Sequence, residues 1–393
     1  MIPEKHNLLW VSTGSLEKSL DSATWLDTSK ELSHYGWHVT LIVVGSASPR
    51  TFHGAEILSI PRPEIYLLRQ LIFHARVFSF ILQRVDTFDA ILFHSMSAPW
   101  LLPLRIVRLL RNRQLPALVM DTRTLEMSHE GKEGWKDRLR RQFHLFVEKL
   151  TNDWADGRLA ITQRMADAVG IPQEKLWGIW PSGVDQELFY PALATRKWPL
   201  KGESIHLVYI GVLNYERNLM KLCQAVEKAN SEGLSLRLSL VGKGTELADL
   251  ESFASQTNGR IQVLPPVQHS QVPDILAQAH IGVLPFPDEE KFRVSSPIKL
   301  FEYMATGLPV LATRIVCHTD VIGDNNFAFW AEQSDEASLL AALHLIVDNL
   351  DRLSEMGYQS ALASRDWTWR ESARKLKTAL ENGLEKLTNG SSQ

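Results

Sequence analysis

Short runs of apolar and β-branched residues recur along the whole chain, separated by amphipathic stretches of helical length. The first half contains Leu8–Val11, Val39–Val44, Ala90–Phe93, Ala117–Met120 and Arg158–Ile161. The second half contains His206–Ile210, Leu236–Val241, Ile261–Leu264, Ile281–Leu284, Pro309–Ala312 and Phe327–Trp330. A strand reads this way when both faces of its pleat are covered, as in parallel sheets. The intervening stretches carry helix signals. Ser15 to Tyr35 closes at Gly36, which suits a left-handed C′ position, and Leu219 to Ala229 repeats apolar residues at helical spacing. Alternation of this kind predicts βαβ units and doubly wound α/β sheets.

At 393 residues the chain is too long for one ordinary core. A stretch with Pro, Lys, Arg and Gly, Pro191 to Gly202, precedes a fresh strand and is read as a linker. The expected division is therefore an N-terminal Rossmann-like domain over 1–195 and a second over 196–366. A last helix, 367–387, has no strand partner and is expected to pack back across the linker, followed by a frayed polar tail, 388–393. Two such domains facing each other leave a cleft at the carboxyl ends of their strands, where open α/β sheets bind ligands.

Composition excludes several classes. Lys plus Arg number 42 against 45 Asp plus Glu, a net charge of −3, which argues against a dedicated nucleic-acid binder. Two cysteines are too few for a disulfide framework or a Cys-built metal site, and fit a reduced, cytoplasmic compartment. The N-terminus lacks the pattern of a signal peptide, and no apolar run is long enough to span a membrane. No Asp-x-Asp occurs, and no metal site is expected.

The most informative segment is Ser295 to Thr313, SSPIKLFEYMATGLPVLAT. Ser296 and Pro297 read as N-cap and N1 of a helix running to about Ala305, with Gly307 breaking it and Leu308–Thr313 forming the next strand. A helix N-terminus at the carboxyl edge of a parallel sheet favours a phosphate. Lys299 and Glu302 share one helix face; an i,i+3 surface ion pair is the bland alternative.

This segment resembles the donor-nucleotide motif of the family-four glycosyltransferases, whose two-domain fold is called GT-B. The matching residues are Glu302, Met304, Ala305, Gly307, Pro309 and Val310, and the resemblance implies that Glu302 accepts hydrogen bonds from the nucleotide ribose. Other pieces follow in family order: Trp180-Pro-Ser-Gly-Val-Asp185, Val208 to Leu219 with Gly211 and Arg217, Leu240-Val-Gly-Lys-Gly244 with Gly242 and Lys243, and His280 to Pro285. Two positions depart from the pattern. Val294 stands where the family often has a Glu facing the donor sugar, and Val212 where a basic residue is common.

The first half says less. Gly14, ending the first strand, could let backbone approach the transferred sugar or diphosphate, or simply serve a turn. Family members often carry a functional His in this half. Asp121 stands where it would be expected, leaving His94 or His129, each also readable as a structural histidine. The Leu/Ile/Phe-rich stretch Ile65–Val85 with Arg62, Arg69 and Arg76, and Leu101–Arg113 with Arg105, Arg108, Arg111 and Arg113, read as basic amphipathic helices fit for a membrane surface or as sheet-covering helices.

The resemblance implies a retaining glycosyltransferase that takes a UDP- or GDP-linked sugar and needs no bound cofactor. Arg217, Glu302 and His94 are its candidate catalytic residues. Gly14, Gly211, Arg217, Gly242, Lys243, Ser296, Pro297, Lys299 and Glu302 are its candidate donor contacts. The acceptor is expected to be a glycan or a lipid-linked molecule of surface-polysaccharide synthesis, met at the inner membrane face. A nucleotide-sugar binder without turnover and a sugar-nucleotide epimerase on the same fold are the alternatives. An NAD enzyme is disfavoured, since no G-x-G-x-x-G follows the first strand.

Overall fold

The computed structural model describes residues 6–17, 22–52, 54–111, 116–125 and 134–390. The chain divides into a unit of Met1–Gly183 with Trp369–Gln393 and a unit of Val184–Thr368.

The first unit is built on β1 (His6–Val11), β2 (Trp37–Val44), β3 (Arg50–Phe52), β4 (Ala55–Ile60), β5 (Ala90–Phe93), β6 (Ala117–Thr122), β7 (Gly157–Ala160) and β8 (Leu176–Ile179). They pair in the order β3-β4-β2-β1-β5-β6-β7-β8. The pairing is parallel except between β3 and β4. Along β1, Leu8 and Trp10 join one apolar cluster and Leu9 and Val11 another, so both faces of the sheet are covered. That is the burial the unbroken apolar runs call for.

The last helix, Trp369–Gly390, completes this unit. Its Ala373, Leu376, Ala379 and Leu380 are buried in the same cluster as Leu8 and Trp10. Close approach is possible because Gly178 on β8 faces Ala379, while Gly383 on the helix faces Trp177. Thr388 to Gly390 are helical rather than frayed; 391–393 lie outside the described residues.

The second unit holds β9 (Ile205–Val212), β10 (Leu236–Lys243), β11 (Ile261–Leu264), β12 (Ile281–Leu284), β13 (Val310–Thr313) and β14 (Ala328–Ala331), all parallel, in the order β11-β10-β9-β12-β13-β14. The expected linker is not one. Residues 184–202 belong to this unit, and the boundary falls at Gly183/Val184 instead of 195/196. The reason is Arg196, 7% exposed. Its guanidinium donates to the carbonyls of Leu276 and Thr306, each at 2.7 Å, and to that of Ala279. These carbonyls lie at or just past the ends of the helices Val272–Ala277 and Ile298–Ala305. Phe189 is likewise fully buried in the core of this unit.

Candidate functional site

In the second unit the candidate residues gather at the carboxyl ends of β9 and β10 and on the helix Ile298–Ala305. Gly211 and Gly242 are paired neighbours with φ of +141° and +151°, values that L side chains rarely adopt. A Cβ on Gly242 would strike the Gly211 carbonyl, and one on Gly211 would strike Lys299 Cε. Gly242 thus lets two strand ends close up, and Gly211 lets the Lys299 side chain lie across the backbone. Lys243 is exposed.

The helix begins one residue later than the sequence suggested: Pro297, with φ −80° and ψ 96°, is the N-cap, not Ser296. Proline's fixed φ tolerates this extended ψ, so the chain turns helical only at Ile298. Gly307, at φ +71°, ends the turn after the Thr306 C-cap, and β13 starts at Val310, not Leu308. Leu300, Phe301, Tyr303 and Met304 are fully buried. Tyr303 Oη accepts the Ile210 amide at 3.2 Å, fastening the helix to β9.

Glu302 sits among these apolar neighbours at 7% exposure. It does not pair with Lys299. Its Oε1 lies 2.9 Å from His269 Nε2, and the His269 ring is 5.4 Å from that of Phe189. Lys299 has no hydrogen-bonded carboxylate among the described residues. Burial and the nearby charge of Arg217 push its ammonium down to about 8, against a smaller upward pull from Glu302.

Arg217 lies against the stacked pair of Phe286 and Phe292, whose centroids are 4.8 Å apart, its guanidinium carbon 5.1 Å from each, and its Nε is buried without a hydrogen-bond partner among the described residues. The turn carrying it is pinned by Asn218, a left-handed residue with φ 60° whose amide donates to the carbonyls of Pro285 at 3.0 Å and Ser334 at 2.6 Å. Gly211, Arg217, Lys299 and Glu302 are therefore brought together. Val294 is buried at 4% exposure, so no side chain there reaches solvent. Sequence reasoning passed over His269, Phe286, Phe292 and Asn218; only Asn218 bore a signal, as an Asn ahead of a helix.

The first unit has a cavity of about 250 Å³ lined by Thr13, Gly14, His94, Ser95, Asp121 and Arg123, among others. Gly14 accepts the Val44 amide at 2.9 Å. Burial drives the His94 pKa down to about 4. Each ring nitrogen faces a backbone N–H, Nδ1 that of Met96 at 3.3 Å and Nε2 that of Thr13 at 3.2 Å, with Thr13 Oγ1 also 3.2 Å from Nε2; a neutral ring can accept at only one of the two nitrogens. Ser95 Oγ and His144 Nε2 are 2.7 Å apart. Burial raises the Asp121 carboxyl to about 6, although Arg123 and the Trp180 indole, which donates to it at 2.9 Å, pull the other way. His129 lies outside the described residues. Among those described, no three His, Cys, Asp or Glu side chains gather as metal ligands.

The family profile described as glycosyl transferases group 1 matches residues 204–349. A search of curated protein sequences found no match. Among solved structures, sucrose-phosphate synthase from Thermosynechococcus elongatus aligns with a TM-score of 0.73 at 16% identity, covering 99% of this chain and 100% of that one. The catalytic domain of starch synthase IV from Arabidopsis thaliana, bound to ADP and acarbose, gives 0.74 at 12% identity over 97% and 99%. Anabaena HepE in complex with UDP gives 0.68 at 15% identity over 96% and 100%. The chain thus has the GT-B fold expected from its sequence, and residues 204–349 within it match the group 1 glycosyltransferase profile.

Proposed function

We propose that the protein moves a sugar from a UDP- or GDP-linked donor to a glycan or lipid-linked acceptor, with retention and without a metal ion, in surface-polysaccharide synthesis. The observation that carries this is the pair of cations Arg217 and Lys299. They lie close enough for one to depress the other's pKa, and among the described residues neither is hydrogen-bonded to a carboxylate. Two like charges held together at strand ends suit a ligand with more than one negative charge, such as a diphosphate. Glu302, one helical turn further on, is an acceptor for the ribose hydroxyls. As the sugar–phosphate bond breaks, Arg217, Lys299 and the amides at the start of Ile298–Ala305 meet the charge growing on the leaving diphosphate. The acceptor side falls to the first unit, whose cavity offers Asp121 and Ser95 to hydroxyl groups. A lipid-linked acceptor also brings the protein to the inner membrane face. HepE has been seen with UDP-glucose, which supports a nucleotide-sugar donor here.

Thermal shifts with UDP, GDP, ADP and their sugars identify the donor, since a ligand at about 100 times its Kd adds roughly 2.7 kcal/mol. Turnover with that donor should survive EDTA, and Arg217→Ala should lower kcat by ~10²-fold, with Arg217→Lys recovering part. Binding without turnover is the second reading, favoured by Val294 in place of a carboxylate. Loss of activity on chelation, restored by Mg²⁺, or a silent Arg217→Ala, refutes the mechanism.

A further inference from the structure

The helix Trp135–Trp154 of the first unit has two unlike faces. His144, Val147, Thr151 and Trp154 are buried. On the outer side Trp135, Leu139, Phe143, Phe146 and Leu150 are 72, 63, 60, 60 and 39% exposed. Their spacing of 4, 4, 3 and 4 residues draws them into one stripe along the helix. Scattered exposed apolar residues need no explanation, but a continuous stripe of large ones marks an interaction surface.

The charges beside the stripe say what it meets. Exposed Arg138 and Lys149 flank one edge and exposed Arg140 the other. The helix has five basic and three acidic residues in a chain whose net charge is −3. One of the three, Glu148, is turned inward and 2.5 Å from Arg158, while Asp153 is exposed at the C-terminal end of the stripe, one turn from Lys149. A second copy docked through this face would set its own arginines against these. The helices that looked basic in the sequence are less available: Arg105 and Arg108 both bind Asp156, at 2.9 and 2.8 Å, and Arg76 donates to the Pro61 carbonyl at 3.0 Å. Arg113 lies outside the described residues. No helix among the described residues is long and apolar enough to cross a membrane.

We propose that the Trp135–Trp154 face docks on an anionic lipid bilayer, lying in the interface plane. Phe143, Phe146 and Leu139 enter the acyl boundary, and Arg138, Arg140 and Lys149 sit at headgroup level. This locates the membrane contact in the reading above, but it does not depend on the reaction.

The full chain is tested by sedimentation with phosphatidylcholine vesicles, with and without phosphatidylglycerol. Wild type should bind the anionic vesicles at low salt and leave them as salt rises. The surface variants Phe143→Ser/Phe146→Ser and Arg138→Glu/Arg140→Glu/Lys149→Glu should each bind at least about tenfold more weakly, with unchanged thermal unfolding and nucleotide affinity. A Phe143→Cys variant with an environment-sensitive dye should report an apolar setting on vesicle addition; both native cysteines are buried. Absence of vesicle binding, or binding that both variants retain, overturns the proposal. So does a Phe143/Phe146-dependent dimer in sedimentation velocity without vesicle binding, which would make this face a contact between copies.

Discussion

Lys299 offers a test of the phosphate site that needs no knowledge of the acceptor. With its pKa at about 8, Lys299 carries its charge in about nine-tenths of free molecules at pH 7 and about one-tenth at pH 9. A diphosphate lying against the ammonium favours the charged form, so binding at pH 9 must first restore the proton. Affinity should therefore fall about tenfold between pH 7 and pH 9, or about 1.4 kcal/mol, with tight binding on the acid side. The ligand contributes little, because a terminal phosphate with its second pKa near ~6 is already largely ionised at pH 7. Calorimetric titration with the nucleoside diphosphate giving the largest thermal shift measures the slope. Lys299→Arg should bind well and lose the slope, since a guanidinium stays charged throughout. Lys299→Met should bind weakly at every pH. A flat wild-type profile from pH 7 to 9, or the same slope in Lys299→Met, would refute the reasoning.

Glu302→Gln should weaken nucleotide binding about tenfold or more, because a charged acceptor becomes a neutral amide with one acceptor oxygen; unchanged affinity in calorimetry removes Glu302 from the ribose. Asp121→Asn bears on stability. The folded carboxyl titrates at about 6 and the unfolded one near the ordinary 3.8, so folding favours the protonated form. Its contribution is complete below pH 3.8 and is lost as pH rises through 6. The variant, always neutral and still able to accept from Trp180, should gain about 1–3 kcal/mol on wild type at pH 7.5 and almost nothing at pH 4. Equal differences in denaturant midpoint at the two pH values would disprove this.

The parallel strands were legible because burial on both faces leaves no room for polar alternation, as in the fully buried β5 and β6. β3, β4 and β8 were not read. β3 is wholly exposed, β4 is half-buried, and β8 contains a Gly where the last helix comes close. Glu302 could be found because a helix, a Gly break and a Pro-Val strand follow one another around it. His269, its partner, could not, since the two are 33 positions apart and meet only through the fold. Arg217 was visible as a charge after a strand, but its placement against the stacked rings of Phe286 and Phe292 was not. The linker was misread because Arg196 looks like a surface residue in sequence, while in the fold it serves three carbonyls.

The last helix, Trp369–Gly390, gives the first unit a seam that closes late in synthesis. A ribosome releases 1–183 first, but the residues that cover Trp10 and Trp177 emerge only after the whole of 184–368 has been made. At about 5–20 residues per second, that delay is on the order of ten to forty seconds. During it the nascent first sheet carries an apolar face that the helix Ser22–His34 covers only in part, whereas the second unit, continuous in sequence, can finish folding beforehand. Assembly therefore runs against the order of translation: the half made second is completed first.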